Sequence, residues 1–232
     1  MPIKGSSEFI ELDNMVLNIF DDVLKLFAHC YKKIIDKPEK FIRKDMGTKY
    51  EDYYRNKLII DYVPKYAKNF GLESLEFIPG ADEIDPVTYI SRGNPDIKII
   101  NINFILDEHF SFNSDIYFTF ECKRFGENAN PKLYVNKGIK RFIEKKGSGF
   151  KYASNLPFAG MIGFIEEGNP NEIISEINNI LKTHKHILTE NFLNKVSIES
   201  DFEHSYCSNH RRGPDLHITL HHIMYDYNGM IH

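Results

Sequence analysis

The chain has 232 residues, 42% of them hydrophobic and 27% charged, and a formal net charge of −4 at pH 7. These proportions exclude an intrinsically disordered chain, and the length suffices for one domain with a substantial core. The sequence has three widely spaced cysteines, and it shows neither a signal-peptide pattern nor an apolar stretch of membrane-spanning length. These features predict a reduced, cytoplasmic protein with no membrane partner.

The first quarter of the chain predicts two helices. From Ser7 to Asp36, apolar residues recur at helical spacing, which predicts one long amphipathic helix that buries its apolar face against the core or against a partner subunit. A second helix is predicted from Thr48 to Tyr62, with Pro64 limiting its far end. Thr48 and Glu51 have the spacing of a capping box.

Strand patterns dominate the next segment. Leu75–Ile78 and Val87–Ile90 are predicted as short strands separated by a turn. Two longer runs rich in β-branched and aromatic residues follow, Ile97–Leu106 and Ile116–Lys123, with a polar segment between them. If these two strands pair antiparallel, the start of the first lies beside the end of the second.

That pairing has a chemical consequence. Asp96 precedes the first run, and Glu121 and Lys123 close the second. Because side chains alternate along a strand, Glu121 and Lys123 share one face and Cys122 points to the other. The sequence therefore predicts two carboxylates and an ammonium group at one end of the sheet, a set that suits a divalent cation with oxygen ligands.

The remaining elements alternate between helix and strand. We predict a helix from Lys132 to Lys145, a buried strand from Ala159 to Ile165 and a helix from Pro170 to His186. Lys195–Ile198 and Leu216–Tyr227 are predicted as strands. The order of the predicted helices and strands along the chain predicts an α/β fold in which a central mixed β-sheet is flanked by helices.

The pattern of Pro95-Asp96 followed by Glu121-Cys122-Lys123 resembles the PD-(D/E)XK nuclease superfamily, over roughly residues 47–165. The resemblance implies a restriction-endonuclease-like core, with an extra N-terminal helix and C-terminal helix and strands. It implies a single nuclease-like domain over 1–232, made of an N-terminal helical segment (1–46), a catalytic core (47–165) and a C-terminal helix with strands (166–232).

The resemblance also implies the chemistry. Mg²⁺ or Mn²⁺ would be bound by Asp96, Glu121 and the backbone carbonyl of Cys122, and Lys123 would orient or deprotonate the attacking water or stabilise charge on the phosphate. Glu51 is a candidate further metal ligand. The alternative for Glu51 is a capping role combined with an ion pair to Arg55, four residues on.

The charge distribution suggests where a nucleic acid would bind. Between Lys123 and Lys151 there are nine Lys or Arg residues against two acids, whereas the rest of the chain is acidic. This stripe fits phosphate capture, and a solvated helix face explains it equally well. The candidate contacts to DNA, with RNA as the alternative, are the basic residues Arg124, Lys137, Lys140, Arg141, His210 and Arg211.

Three other hypotheses remain open. His204-x-x-Cys207-x-x-His210, with His217 or His221, contains ligand types that suit zinc, although histidines on a sheet face explain the pattern better. The second hypothesis is a nucleic-acid-binding protein with a nuclease-like fold and no turnover. The third is an interaction module that forms a homodimer or joins a partner protein. Restriction, phage defence or repair is the setting that the resemblance suggests for an active enzyme.

Overall fold

The computed structural model describes residues 7–36, 41–42, 46, 49–85, 87–101 and 117–232, with side chains from residue 14. Their centre is a seven-stranded mixed sheet with the strand order β1-β4-β5-β8-β11-β10-β9. The three central strands β5, β8 and β11 run parallel, and an antiparallel pair extends the sheet on each side. The predicted α/β class with a central mixed sheet is therefore confirmed.

The sheet strands are β1 (Leu75–Pro79), β4 (Ile97–Asn101), β5 (Tyr117–Phe125), β8 (Phe158–Ile165), β9 (Leu188–Lys195), β10 (Ser205–Arg211) and β11 (His217–Asp226). Two small antiparallel pairs lie outside the sheet. They are β2 (Glu83–Ile84) with β3 (Ser91–Gly93), and β6 (Lys145–Lys146) with β7 (Gly149–Phe150). The sheet draws strands both from residues 47–165 and from residues 166–232.

The helices flank the sheet. The first is α1 (Ser7–Asp36), as predicted. Next, α2 (Tyr50–Lys57) runs through a π-helical turn, Leu58–Tyr62, into α3 (Val63–Tyr66) and a 3-10 turn, Ala67–Phe70. After β5, α4 (Pro131–Tyr134) runs through a second π-helical turn, Val135–Ile139, into α5 (Lys140–Ile143), and α6 (Pro170–Thr183) follows β8.

Two apolar cores lie on opposite faces of the sheet. On one face, buried side chains of α1, α2 and α3 pack on β5, β8 and β11, with Phe20 and Phe27 of α1 against Phe120 of β5. On the other face, α4, α5 and α6 cover the same strands, and Met161 of β8 belongs to this second core. Burial on both faces explains why β5 and β8 are apolar almost throughout.

The pairing of β4 with β5 places the candidate site residues. The two strands are antiparallel, and Ile97 lies opposite Phe120. This register sets the residue before Ile97, which is Asp96, beside the residue after Phe120, which is Glu121. The predicted strand residues beyond Asn101 and the polar segment between the strands lie outside the described residues.

Several predicted elements differ from the structure. Val87–Ile90 forms a turn, and the short strands β2 and β3 lie on either side of it. The second helix does not end before Pro64: the helical run continues through the π-helical turn into α3, and Pro64 lies directly after that turn, in the first turn of α3. The strand predicted at Lys195–Ile198 instead ends at Lys195, and β10 was not predicted at all.

Within the described residues, every helix is too short or too polar to cross a lipid bilayer.

Candidate active site

The candidate site lies where the start of β4 meets the second half of β5. Asp96 Oδ2 accepts a hydrogen bond from the backbone N–H of Cys122 at 2.7 Å, which fixes this carboxylate against β5. Glu121 and Lys123 project from the same face of β5, and Lys123 Nζ lies 2.8 Å from Glu121 Oε1. The structure thus brings Asp96, Glu121 and Lys123 together, as the strand register predicts.

The ammonium group of Lys123 lies at the centre of this cluster. Its Nζ is 2.8 Å from Glu51 Oε1, 2.8 Å from Glu121 Oε1 and 3.6 Å from Asp96 Oδ2, and it also donates to the carbonyl oxygen of Cys122. An ammonium has three N–H donors, so it cannot bond all four oxygens fully. The same four residues are the predicted ligands of the divalent cation.

Glu121 is fully buried, with 0% of its surface exposed. Burial raises the pKa of Glu121 to about 8, and the nearby charge of Asp96 adds to this effect. The positive charges of Lys123 and Arg141 oppose the shift, because they favour the charged form of Glu121. Its Oε1 accepts from Lys123 and Arg141, whereas its buried Oε2 has no hydrogen-bond partner among the described residues. A buried, unpartnered carboxylate oxygen is costly in a site that holds no further cation.

Glu51 reaches the site from α2. Its Oε1 accepts from Lys123, and its Oε2 accepts from the backbone N–H of Arg124 at 3.2 Å. Burial raises the pKa of Glu51, and Lys123 opposes that shift. Thr48 lies outside the described residues; the residue that caps α2 is Lys49, without a side-chain hydrogen bond. The contacts of Glu51 therefore support its role as a site residue over its role as a cap.

Lys123 stays charged in this arrangement. Burial alone would lower its pKa, but the carboxylates of Glu121, Asp96 and Glu51 outweigh burial and raise it. A charged lysine stabilises a developing phosphate charge or orients a water, and it does not act as a base while these carboxylates surround it.

A divalent cation fits the chemistry of this donor set but would have to replace the Lys123 ammonium. No three His, Cys, Asp or Glu side chains of the described residues form a preformed metal-binding group. One carboxylate oxygen from each of Glu51, Asp96 and Glu121 nevertheless lies within 4 Å of Lys123 Nζ, and the buried Oε2 of Glu121 has no hydrogen-bond partner among the described residues. Hard cations such as Mg²⁺ take oxygen ligands of this kind.

Arg141, one of the predicted phosphate contacts, bonds an acid of the site. It lies in α5, and its Nη1 donates to Glu121 Oε1 at 2.5 Å and to the hydroxyl of Tyr152 at 3.1 Å. Tyr152 in turn donates to the carbonyl oxygen of Asn94 at 2.7 Å. This chain of contacts ties α5 to the segment that leads into Asp96.

The other predicted phosphate contacts are scattered. Lys137 is exposed and Lys140 half-buried, both in the π-turn and helix that also carry Arg141. Arg124 points away from Lys123 and forms a partly buried ion pair with Glu166 at 2.9 Å. Arg211 lies on β10, three strands away from β5, where it pairs with Glu190 at 2.9 Å.

The prediction that His210 contacts a phosphate needs correction, because its side chain is fully buried. His210 belongs to a buried hydrogen-bonded chain that runs from Tyr134 through His222 and Ser208 to His210 and ends at Thr189. Burial lowers the pKa of His210 to about 4, so it is neutral near pH 7. Its role is to satisfy polar groups inside the sheet.

Among the residues that the structure describes, the His and Cys side chains of the predicted zinc pattern form no metal-binding group. Cys207 and His221 are paired neighbours on β10 and β11 and face α1. His210 and His222 face the opposite core, and His217 pairs with Glu190. His210 and His222 point to the opposite face of the sheet from Cys207 and His221, and His217 lies four residues away from His221 along β11, so these side chains cannot bind one ion together.

Sequence reasoning missed three residues around the site. Arg55 of α2 bonds Asp96 Oδ1 at 3.2 Å, and Tyr152 supports Arg141. Glu83, fully buried, accepts from Thr119, two residues before Glu121 on the same face of β5. The only sequence signal for any of them was the position of Arg55 one helical turn after Glu51.

Comparisons of the chain with models of protein families, with curated proteins and with solved structures found no match.

Proposed function

We propose that this protein is a divalent-metal-dependent nuclease that hydrolyses phosphodiester bonds of DNA. One observation carries the proposal. Three carboxylates (Glu51, Asp96 and Glu121) and the carbonyl of Cys122 converge on the Lys123 ammonium at one end of the sheet, and a buried oxygen of Glu121 is left unpartnered.

The fold supports a restriction-endonuclease-like core. An acid stands at the start of β4, Glu-x-Lys stands on the antiparallel neighbour β5, and a helix before the sheet brings a further acid. The helix pair α4–α5 then follows β5 and places a guanidinium on Glu121. These positions match the arrangement expected for PD-(D/E)XK nucleases.

Each residue has a role in this proposal. Asp96, Glu121 and the Cys122 carbonyl would hold Mg²⁺ or Mn²⁺, with Glu51 as a further ligand. When bound, the ion supplies charge stabilisation and lowers the pKa of water. Lys123, displaced from the acid oxygens, orients the nucleophile or binds the phosphate oxygens, and Arg141 keeps Glu121 in place.

The surroundings suit a polyanionic substrate. Lys137 and Lys140 lie on the same helical segment as Arg141, close to the acid cluster. Contacts of this kind bind the phosphate backbone without reading its sequence. The proposal places the enzyme in the cytoplasm, where its three unpaired cysteines stay reduced.

A second candidate function is nucleic-acid binding without turnover. It is favoured by the position of Lys123, whose positive charge already compensates the acids without any metal. In that case the cluster is a structural ion-pair network, and a divalent cation has no effect on the protein.

Nicking of supercoiled plasmid with Mg²⁺, Mn²⁺ or EDTA tests the proposal. We expect wild-type cleavage that requires the cation, and a loss of about a hundredfold or more for Asp96→Asn, Glu121→Gln and Lys123→Ala. Glu144→Gln is the matched control, because Glu144 also stands two residues before a lysine (Lys146) but is exposed. If all three site variants cleave at the wild-type rate, the assignment is wrong.

A further inference from the structure

The end of β2 and the residues that follow it before β3 present apolar side chains to solvent. Ile84, Val87, Tyr89 and Ile90 are all exposed, and Tyr89 most of all, at 82%. Single exposed apolar residues are ordinary, but four within seven positions form a patch of the kind that contacts a partner. We call residues 84–85 and 87–90 the exposed turn.

Tyr89 is held there against its backbone preference. It adopts φ of +58°, in the left-handed region, where a side chain with a β-carbon is disfavoured. Its N–H donates to the Asp85 carbonyl at 2.8 Å, and the Asp85 N–H donates to the Ile90 carbonyl at 3.0 Å. An exposed ring gains little packing in return, so the folding of this chain does not explain a tyrosine at this position.

The exposed turn is hydrogen-bonded to a basic hairpin. The buried carboxylate of Asp85 accepts from the backbone N–H groups of Val87 and Thr88 and from the N–H and hydroxyl of Ser148. Ser148 lies in the turn between β6 and β7, and β6 consists of the exposed Lys145 and Lys146. Gly147 permits this contact, since a β-carbon there would overlap Asp85.

The exposed turn also connects directly to the acid cluster. Asn94, five residues after Tyr89, accepts from Tyr152, which bonds the Arg141 that holds Glu121. Asp96 of the acid cluster lies seven residues after Tyr89, a chain span of at most about 25 Å. Tyr89 therefore lies within about seven nucleotides of Asp96, at about 3.4 Å for each stacked nucleotide.

We propose that Tyr89 is a stacking platform for an unpaired base, and that the substrate class is nucleic acid with single-stranded stretches next to the cleaved bond. The inference rests on the proposed function. An aromatic face stacks on any exposed base, and the neighbouring Lys145 and Lys146 supply the charge that phosphates require. The bases of an intact duplex offer no free face to such a ring.

Binding of fluorescent oligonucleotides, measured by anisotropy in EDTA so that no cleavage occurs, tests this proposal. We expect Tyr89→Ala to weaken single-strand binding about tenfold or more, and Tyr89→Phe to stay within about twofold of wild type, because Phe keeps the stacking face. Binding to a duplex of the same length should change less than about twofold. A photoreactive 5-iodouracil in the single strand should cross-link to the peptide that contains Tyr89.

Leu188→Ala is the matched control, since Leu188 is an exposed apolar residue on the opposite edge strand, β9. Thermal melting should give the same folded state for all variants, because Tyr89 is exposed and Ala keeps its β-carbon. Equal single-strand binding by wild type and Tyr89→Ala, or an equal loss on duplex, overturns the inference. Plasmid nicking by wild type then shows separately whether the nuclease proposal stands.

Discussion

At the scale of single residues, the main feature is a lysine surrounded by acids. Lys123 contacts three carboxylates and one carbonyl, more oxygen atoms than its three N–H groups can satisfy. A divalent cation carries twice the charge and takes six or more oxygen ligands. In the proposed nuclease, Lys123 and the cation therefore compete for the same oxygens, and the lysine would hold the acids in place until the cation binds.

This competition predicts that Lys123→Met binds Mn²⁺ more tightly than wild type while it loses cleavage. Removal of the ammonium deletes a charge of the same sign as the ion within 4 Å of the ligands, so we expect affinity to rise about tenfold or more. Isothermal titration with Mn²⁺, in the absence of nucleic acid, measures it. Lys151→Met is the control, because Lys151 pairs with Glu144 outside the cluster. Unchanged or weaker Mn²⁺ binding by Lys123→Met would contradict the competition.

The residues that could be predicted are those fixed by local rules. Strand alternation placed Glu121 and Lys123 on one face, and antiparallel pairing placed Asp96 beside them. Tyr152 and Glu83 could not be predicted, because each reaches the site from a loop or small sheet whose position depends on the whole fold. The prediction that His210 contacts a phosphate was wrong. Nothing in the local sequence reveals that β10 lies between two other strands of the sheet and that the His210 side chain is buried.

At the scale of elements, glycines in β8 allow its neighbours to pack. Gly160 lies opposite Phe120 of β5, and a β-carbon on Gly160 would overlap the Phe120 ring. That ring is fully buried and packs between Phe20 and Phe27 of α1, so it has no space to move. The absence of a side chain at Gly160 thus allows α1 to approach the sheet.

Gly160→Ala is therefore expected to destabilise the protein by about 1–3 kcal/mol, the usual cost of overpacking a core. Urea unfolding followed by circular dichroism measures the loss. Gly213→Ala is the control, because a β-carbon there makes only ordinary contacts with Leu216. Equal midpoints for wild type and Gly160→Ala would show that α1 and β5 adjust more easily than the packing indicates.

Elements could be predicted wherever the apolar pattern was strong. The long helix α1 and the buried strands β5 and β8 follow from periodicity and from continuous apolar runs. The strand β9 was missed because it is an edge strand with mostly exposed, polar residues. Val87–Ile90 was misread as a strand because its β-branched and aromatic residues are exposed in a turn and not paired in a sheet.

At the scale of the whole molecule, charge is divided between an acidic site and a basic margin. The chain as a whole is acidic, with a net charge of −4. Lys137, Lys140, Lys145 and Lys146 follow one another from the helical segment after β5 to the β6–β7 hairpin. At one end of this basic segment Arg141 bonds Glu121 of the acid cluster, and at the other end Ser148 bonds Asp85 of the exposed turn, so the segment contacts both parts of the proposed nucleic-acid site.

The basic margin predicts a steep salt dependence of nucleic-acid binding. If these four lysines each contact one phosphate, the logarithm of the affinity falls against the logarithm of the salt concentration with a slope of about −3 for a single strand. Between about 50 and 200 mM salt this is a loss of about fiftyfold. Anisotropy in EDTA over that range should show a slope smaller by about three units when all four lysines are changed to Gln.

The control changes Lys65, Lys68, Lys182 and Lys185 to Gln, an equal loss of charge from exposed lysines elsewhere. Should both variants flatten the slope equally, the net charge and not the basic margin would govern binding, and the strand would follow another path.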